Sequence, residues 1–267
     1  MKIGAIIPVR LSSERLPGKA LMELAGRPSI VRLLERVAAC RFIEDPRDVV
    51  VCTTGEPGDD PLVAVVEDAG YSVYRGETDD IIARFAGAVA HFGFDAVIQA
   101  DGDDPLSATE YMDAAMARLL EDPSLDIVTV DGLPLGCATK AFTRTAMDKV
   151  TAGYATREND TGFIYFFTKT GLCRHEALSV ENPTHRHETA RLTLDYEDDL
   201  TVFRSIFDAL HRADGPFGLA EVVAFLNDRP DIVAINRHVE AEYARRTVEK
   251  AKLDYIGADG ARQSIKL

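Results

Sequence analysis

The chain opens on an apolar run, IGAIIPV at residues 3–9, and then alternates short β-branched runs with longer segments of helical period. Strands buried on both faces read as continuous apolar stretches rather than as alternations. By that rule Ile3–Pro8, Asp48–Thr53, Tyr71–Tyr74, Ala96–Ala100 and Asp126–Asp131 are expected strands. Helical patterns lie between them. Pro28 sits at a first helical position, and Ile30, Val31, Leu33, Leu34, Val37 and Ala38 follow at helical spacing. Asp59–Ala69 is an expected helix stopped by Gly70. Thr78–Phe92 is another, capped by Thr78 with Asp79 and Asp80 in an acidic first turn. Ser107 and Glu110 have capping-box spacing and predict a helix running to Glu121. Such alternation implies right-handed crossovers and an α/β, Rossmann-like, mostly parallel sheet.

The rhythm changes after residue 131. Gly132–Lys140 is turn-rich before becoming strand-like, and Phe163–Phe167 fits either a helix or a strand. Leu178–Val180 and Ala190–Leu194 read as strands, and Glu197–His211 and Leu219–Asn227 as amphipathic helices. Asp231–Ile235 reads as a late strand, Val239–Lys252 as a late helix, and Asp254–Leu267 as a loose tail. No repeat or linker-like stretch divides the 267 residues. One domain over 1–252 is therefore expected, with 132–190 as an acceptor or dimerisation region and 253–267 as the tail.

Composition narrows the function. A net charge of −14 argues against a general nucleic-acid binder, which needs a basic surface to displace counterions. No apolar run approaches the roughly 18–20 residues that cross a bilayer, so a cytoplasmic protein without membrane contact is expected. Cys40, Cys52, Cys137 and Cys173 form no CxxC pair and are expected as free thiols.

Against that acidic background, the loop after the first strand concentrates Arg10, Arg15 and Lys19 around Pro17 and Gly18. Ligands of open α/β sheets bind beyond the carboxyl ends of strands. Guanidinium forks, a mobile ammonium and free backbone N–H groups suit a triphosphate. The loop matches neither GxxxxGK[ST] nor GxGxxG. A second feature, Asp101-Gly102-Asp103-Asp104, crowds carboxylates at another strand end. It fits either magnesium ligation or an acidic turn that starts a helix. A third, Leu192-Thr193-Leu194-Asp195, ends an apolar run in Asp195, followed by Glu197, Asp198 and Asp199 at a helix start. Arg174, His175, His185, Arg186, His187 and Arg191 fit either an acidic acceptor or a surface or dimer contact.

The order IIPVR, SxRLPGK, CTT, RGxxDDxxxR, GDxPL, LTLDxxxDL and finally INRH resembles the cytidylyltransferases of the CMP-Kdo and CMP-acylneuraminate synthetase group, in particular the spore-coat polysaccharide (SpsF-like) branch. The resemblance runs from residue 3 to about residue 240. It implies a nucleotide-diphospho-sugar-transferase-like fold, commonly a homodimer. The implied reaction moves CMP from CTP to a sugar or similar small acceptor, releasing pyrophosphate with Mg²⁺. Arg10, Ser12, Ser13, Arg15 and Lys19 would bind the phosphates. Pro8, Thr53 and Thr54 would border base and ribose, while Arg75, Asp80 and Arg84 would line the pocket or brace its loop. Asp103 and Asp195 would hold the metal, and with Arg15 and Lys19 would carry the catalysis. Asp101 and Asp104 depart from the pattern, as does the missing acid in Asp131–Ala138, so a phosphonate or phospho-alcohol acceptor, or nucleotide binding without turnover, stays open. So does a glycosyltransferase reading of Asp101-Gly102-Asp103 as DxD.

Overall fold

Alternation along the first strand builds the two faces of the sheet. Ala5 and Ile7 enter one apolar layer and Ile6 the other. The computed structural model describes residues 1–156, 162–240, 245, 252–257 and 260–266. Its first half runs β1 (Ile3–Pro8), a small hairpin β2–β3 (Glu23–Leu24, Arg27–Pro28), α1 (Ser29–Ala38), β4 (Val49–Thr54), α2 (Asp60–Asp68), β5 (Ser72–Gly76), α3 (Ile81–Phe92), β6 (Ala96–Gln99) and α4 (Thr109–Glu121). The second half continues with β7 (Ile127–Asp131), β8 (Lys140–Thr143), α5 (Arg144–Gly153), α6 (Ile164–Thr168), β9 (His175–Ser179), α7 (Glu197–Leu210), α8 (Leu219–Asp228), α9 (Pro230–Ile235), β10 (Lys252–Ile256) and β11 (Arg262–Lys266).

The main sheet has seven strands in the order β5-β4-β1-β6-β8-β7-β9. It is mostly parallel: β8 alone runs against its neighbours β6 and β7. Residues from α1, α2 and α4 complete one apolar layer, and residues from α3, α5 and α6 the other. A third apolar cluster joins α7, α8 and α9 to Leu16, Leu24, Leu106 and Cys137. It ties the helices that follow Asp195 to the loops after β1 and β6. All four cysteines are free thiols, and burial pushes Cys40 and Cys52 up to about 12.

Several sequence expectations give way. Asp80, not Thr78, caps α3, accepting from the Ala83 N–H at 3.0 Å. Ser107 and Glu110 form no capping box. Ser107 donates to the Asp104 carbonyl, and Glu110 accepts from Leu219 N–H at 2.9 Å. Residues 190–194 make no regular strand. They are held by one bridge to Leu135 and by the Leu192 and Leu194 amides. Residues 231–235 are helical because Pro230 and Asp231 occupy the first turn of α9. The ambiguous aromatic run is α6, whose Phe166 and Phe167 are core residues. Most of the expected helix at 239–252 lies outside the described residues.

The expected loose tail is instead an antiparallel hairpin, β10 with β11. Leu253 and Tyr255 point inward into the α3–α5–α6 layer, whereas Ile256 is 45% exposed. Leu253→Ala is therefore expected to cost about 2–4 kcal/mol, and Ile256→Ala less than about 0.5 kcal/mol. Denaturant unfolding checks this, and equal costs would contradict the docking of the hairpin.

Candidate active site

The loop after β1 folds back on itself before it reaches the next element. Gly18 takes φ +72, a conformation that favours glycine, and its N–H returns to the Leu11 carbonyl at 3.1 Å. Leu16 plugs into the third apolar cluster. Lys19 begins a single 3₁₀ turn, and Ser29 Oγ donates to its carbonyl at 2.8 Å. A buried anchor at one side and a pinned carbonyl at the other set where the Lys19 side chain emerges.

Two carboxylates meet that ammonium. Lys19 Nζ lies 2.8 Å from Asp103 Oδ2 and 2.8 Å from Asp195 Oδ1. Arg15 donates to the same Asp195 oxygen. Asp103 follows β6, and Asp195 precedes α7. The two segments are joined directly, since the Leu194 N–H donates to the Asp103 carbonyl at 2.7 Å. Gly102 permits the approach of β6 to β1: a Cβ there would sit 2.4 Å from the Pro8 carbonyl oxygen. The strand-end loop thus requires glycine for close backbone contact.

Electrostatics separate the two acids. Burial pushes the Asp195 carboxyl up, but Lys19, Arg15 and Arg191 outweigh it and hold the group below the ordinary carboxylate range. Asp103 moves the other way, because burial, with Asp195 and Asp101 nearby, outweighs the pull of Lys19. Burial opposes the Lys19 charge, but the two acids keep its pKa above the ordinary value. Asp104 is buried, and burial followed by the charges of Asp103 and Asp101 raises it well above its usual range, which favours its neutral form. Lys140 Nζ pairs with Asp101 Oδ2 at 2.6 Å and, against the effect of burial, holds that carboxyl low. The two departures from the family pattern therefore add little free negative charge.

These groups open onto a cleft of about 500 Å³. Pro8, Arg10, Ser12, Ser13, Arg15, Lys19, Arg84, Asp101, Asp103 and Lys140 line it, together with Phe163 and Tyr165. Asp195 is fully buried beneath it. Thr53, Thr54, Arg75 and Asp80 are not among the described residues lining this cleft. Thr53 and Thr54 donate their hydroxyls to Asp59, at 2.9 and 2.5 Å. Arg75 braces the turn after β4, donating to the Thr54 and Glu56 carbonyls and to Asp60. Asp80 caps α3 and accepts from the Tyr154 hydroxyl at 2.8 Å. Arg84 reaches the cleft but spends its guanidinium on the Glu77 and Thr78 carbonyls.

The basic residues of the second half do not gather as one acceptor site. Arg191 is buried under Asp195, donating to it at 3.1 Å and to Asp199 at 3.0 Å. His185 pairs with the Tyr111 hydroxyl, Arg186 with the Val180 carbonyl and His175 with the Thr129 hydroxyl. Sequence reasoning missed Lys140, whose only local mark is the four-residue strand it begins. It also missed Asp59, which reads as the acidic start of a helix. Asp59 Oδ1 accepts from Leu11 N–H at 2.8 Å and so anchors the loop after β1 to the end of β4. Asn236 escaped notice beyond its place in the INRH run.

Asp59 carries a pH signature. Burial raises its carboxyl, but donors from Leu11, Thr54 and Thr53 hold it below the ordinary range. An acid depressed by folding adds stability above its unfolded pKa and loses it as pH falls through the folded value. Asp59→Ala is expected to cost about 1–3 kcal/mol near neutral pH, and the gap to wild type should narrow below about pH 4. Urea unfolding across pH checks this; a gap that is absent or independent of pH would contradict the anchor.

The cytidylyltransferase family model matches residues 4–170, more than half of the chain. An uncharacterised protein of Methanocaldococcus jannaschii is 28% identical over 256 residues, covering 93% of this chain and 100% of that one. The spore coat polysaccharide biosynthesis protein SpsF of Bacillus subtilis is 25% identical over 229 residues, covering 85% and 94%. Among solved structures, a cytidylyltransferase from Leptospira borgpetersenii superposes with a TM-score of 0.77 at 24% identity, over 87% of this chain and 97% of that chain, which shows the shared fold. A family match over this much of the chain makes the protein a member of the cytidylyltransferase family.

Proposed function

We propose that this nucleotidyltransferase moves CMP from CTP to an oxygen of a small sugar acceptor, releases pyrophosphate and depends on Mg²⁺. The observation that carries the reading is the Lys19 ammonium seated 2.8 Å from both Asp103 and Asp195 at the floor of the cleft. A site built for a triphosphate needs cations that can leave internal partners for phosphate oxygens, and acids that can then accept a divalent ion.

The donor set fits Mg²⁺. It is all oxygen, it comes from the loop after β6 and the approach to α7, and Mg²⁺ typically takes one or two carboxylates with substrate phosphates and water. Among the described residues no cluster of three His, Cys, Asp or Glu would form an all-protein cage, so Asp103 and Asp195 would hold the ion together with the nucleotide. When bound, Mg²⁺ spreads the phosphate charge and eases departure of pyrophosphate.

The chain's own residues supply the rest. Arg10, Ser12 and Ser13 line the cleft, with Pro8 at the end of β1, and would bind phosphate oxygens. Arg15 and Lys19 neutralise the triphosphate, a task for which Arg forks and a Lys point charge are suited. The acceptor oxygen attacks the α-phosphorus, a new O–P bond forms, and the bond to the leaving pyrophosphate breaks. Residues 132–190 contribute Lys140, Phe163 and Tyr165 to the cleft, which supports an acceptor role for that region. The printed name of the Bacillus subtilis relative, in polysaccharide biosynthesis, supports a sugar acceptor. The working form in this reading is a homodimer in the cytoplasm, the compartment that keeps the four thiols reduced. No helix among the described residues is long and apolar enough to cross a membrane.

Pyrophosphate release, measured with each of the four nucleoside triphosphates and with neutral sugars, sugar acids, phosphonates and phospho-alcohols, tests the proposal. CTP with a sugar is expected to give turnover, whereas CTP binding without pyrophosphate from any acceptor would overturn it. Asp103→Ala and Asp195→Ala are each expected to stay folded and lose at least about 10²-fold in turnover. Full activity in either variant would remove the metal assignment.

A further inference from the structure

Asp195 is gripped from two sides that differ in kind. On the cleft side, its Oδ1 takes Lys19 and Arg15, whose side chains are 14% and 25% exposed. Both line the cleft and are the cations assigned above to the phosphates. On the inner side, its Oδ2 takes Arg191, whose side chain is 1% exposed. A triphosphate that recruits Lys19 and Arg15 would strip Asp195 of two partners at once. Among the described residues, the inner cation alone would then be left to pair with it.

That inner cation is itself fixed. Arg191 forks onto Asp199, Nε to Oδ1 at 3.0 Å and NH2 to Oδ2 at 3.2 Å. Asp199 Oδ2 also accepts the Asp195 and Tyr196 backbone N–H groups at 2.9 and 3.0 Å. The same carboxylate therefore caps α7, orients Arg191 and holds the backbone of Asp195. Asn236, 2% exposed, closes the far end. Its Nδ2 donates to Asp199 Oδ1 at 2.8 Å and to the Arg191 carbonyl at 3.0 Å. The Tyr196 ring lies beside both guanidinium groups, 5.7 Å from Arg191 and 5.5 Å from Arg15.

We propose that Arg191, locked by Asp199 and Asn236, is the positioning residue that keeps Asp195 aimed at the nucleotide site once Lys19 and Arg15 have turned to the phosphates. Among the groups this network joins, Asn236 touches neither the cleft nor Asp195, so its effect on turnover must pass through Asp199 and Arg191. The inference rests on the nucleotidyl-transfer reading above. Turnover and CTP binding by the wild-type protein test that reading by themselves, without any variant.

The experiment compares wild type with Asn236→Ala, Arg191→Met and Arg191→Lys. Melting temperature reports folding, and calorimetric titration with CTP in EDTA reports nucleotide affinity. Electron paramagnetic resonance of Mn²⁺ with saturating CTP reports the ion site without turnover. Asn236→Ala is expected to keep its fold and its metal-free CTP affinity within about twofold. Mn²⁺ affinity and kcat should both fall by about 10-fold or more, the usual loss when partners of an ion-binding side chain are removed. Arg191→Lys, which keeps a cation but cannot fork onto two carboxylates, should lose less than Arg191→Met. Unchanged Mn²⁺ affinity and kcat in Asn236→Ala would overturn the proposal. So would losses of CTP affinity and melting temperature that match the loss of kcat. If Asn236→Ala does not fold, Arg191→Lys decides: an ion affinity equal to wild type overturns the proposal, and a reduced one with CTP affinity retained supports it.

Discussion

One ammonium between two carboxylates holds the cleft together. Lys19 arrives from the loop after β1, Asp103 from the end of β6 and Asp195 from the approach to α7. Breaking a buried pair by removing one partner usually costs about 3–5 kcal/mol, because the other charge is left uncompensated. The same arrangement is expensive to keep unless charges balance. Lys19, Arg15 and Arg191 stand against Asp103, Asp195 and Asp199, and each of these acids touches at least one of those bases. A triphosphate with about four negative charges upsets that balance in one direction. Adding a divalent cation offsets about half of that excess.

The surrounding fold keeps the three segments from drifting. The Leu194 amide on the Asp103 carbonyl stitches the two acidic loops together. Gly102 lets β6 close on Pro8, and Asp59 anchors the first loop through Leu11. The third apolar cluster joins Leu16 of that loop to Leu106, Leu194 and α7. Apolar packing therefore sets the distances, while hydrogen bonds set the directions of the charged groups.

Much of this was legible in the sequence where chemistry concentrates at strand ends. Arg15, Lys19, Asp103 and Asp195 stand out because they lie at or soon after the ends of apolar runs, and the structure brings all four together. Residues whose role depends on distant partners were not legible. Thr53 and Thr54 look like pocket residues at a strand end, yet their hydroxyls belong to Asp59, which local pattern assigns to a helix start. Lys140 begins a strand only four residues long, and its pairing with Asp101 crosses a turn-rich stretch that has no period to read. Arg191 and Asn236 meet across 45 residues of sequence, beyond any local signal. The final hairpin was hidden because few of its described residues pack inward, namely Leu253, Tyr255 and Ile265, and Gly257 with Gly260 suggests looseness although a 2.9 Å hydrogen bond joins them.

The most direct measurement is a crystal structure of the wild-type protein with CTP and Mg²⁺. The triphosphate is expected in the cleft, with Lys19 Nζ on phosphate oxygens and both Asp103 and Asp195 facing the α-phosphate. A nucleotide bound elsewhere, or one bound while Lys19 stays locked between the two aspartates, would contradict it.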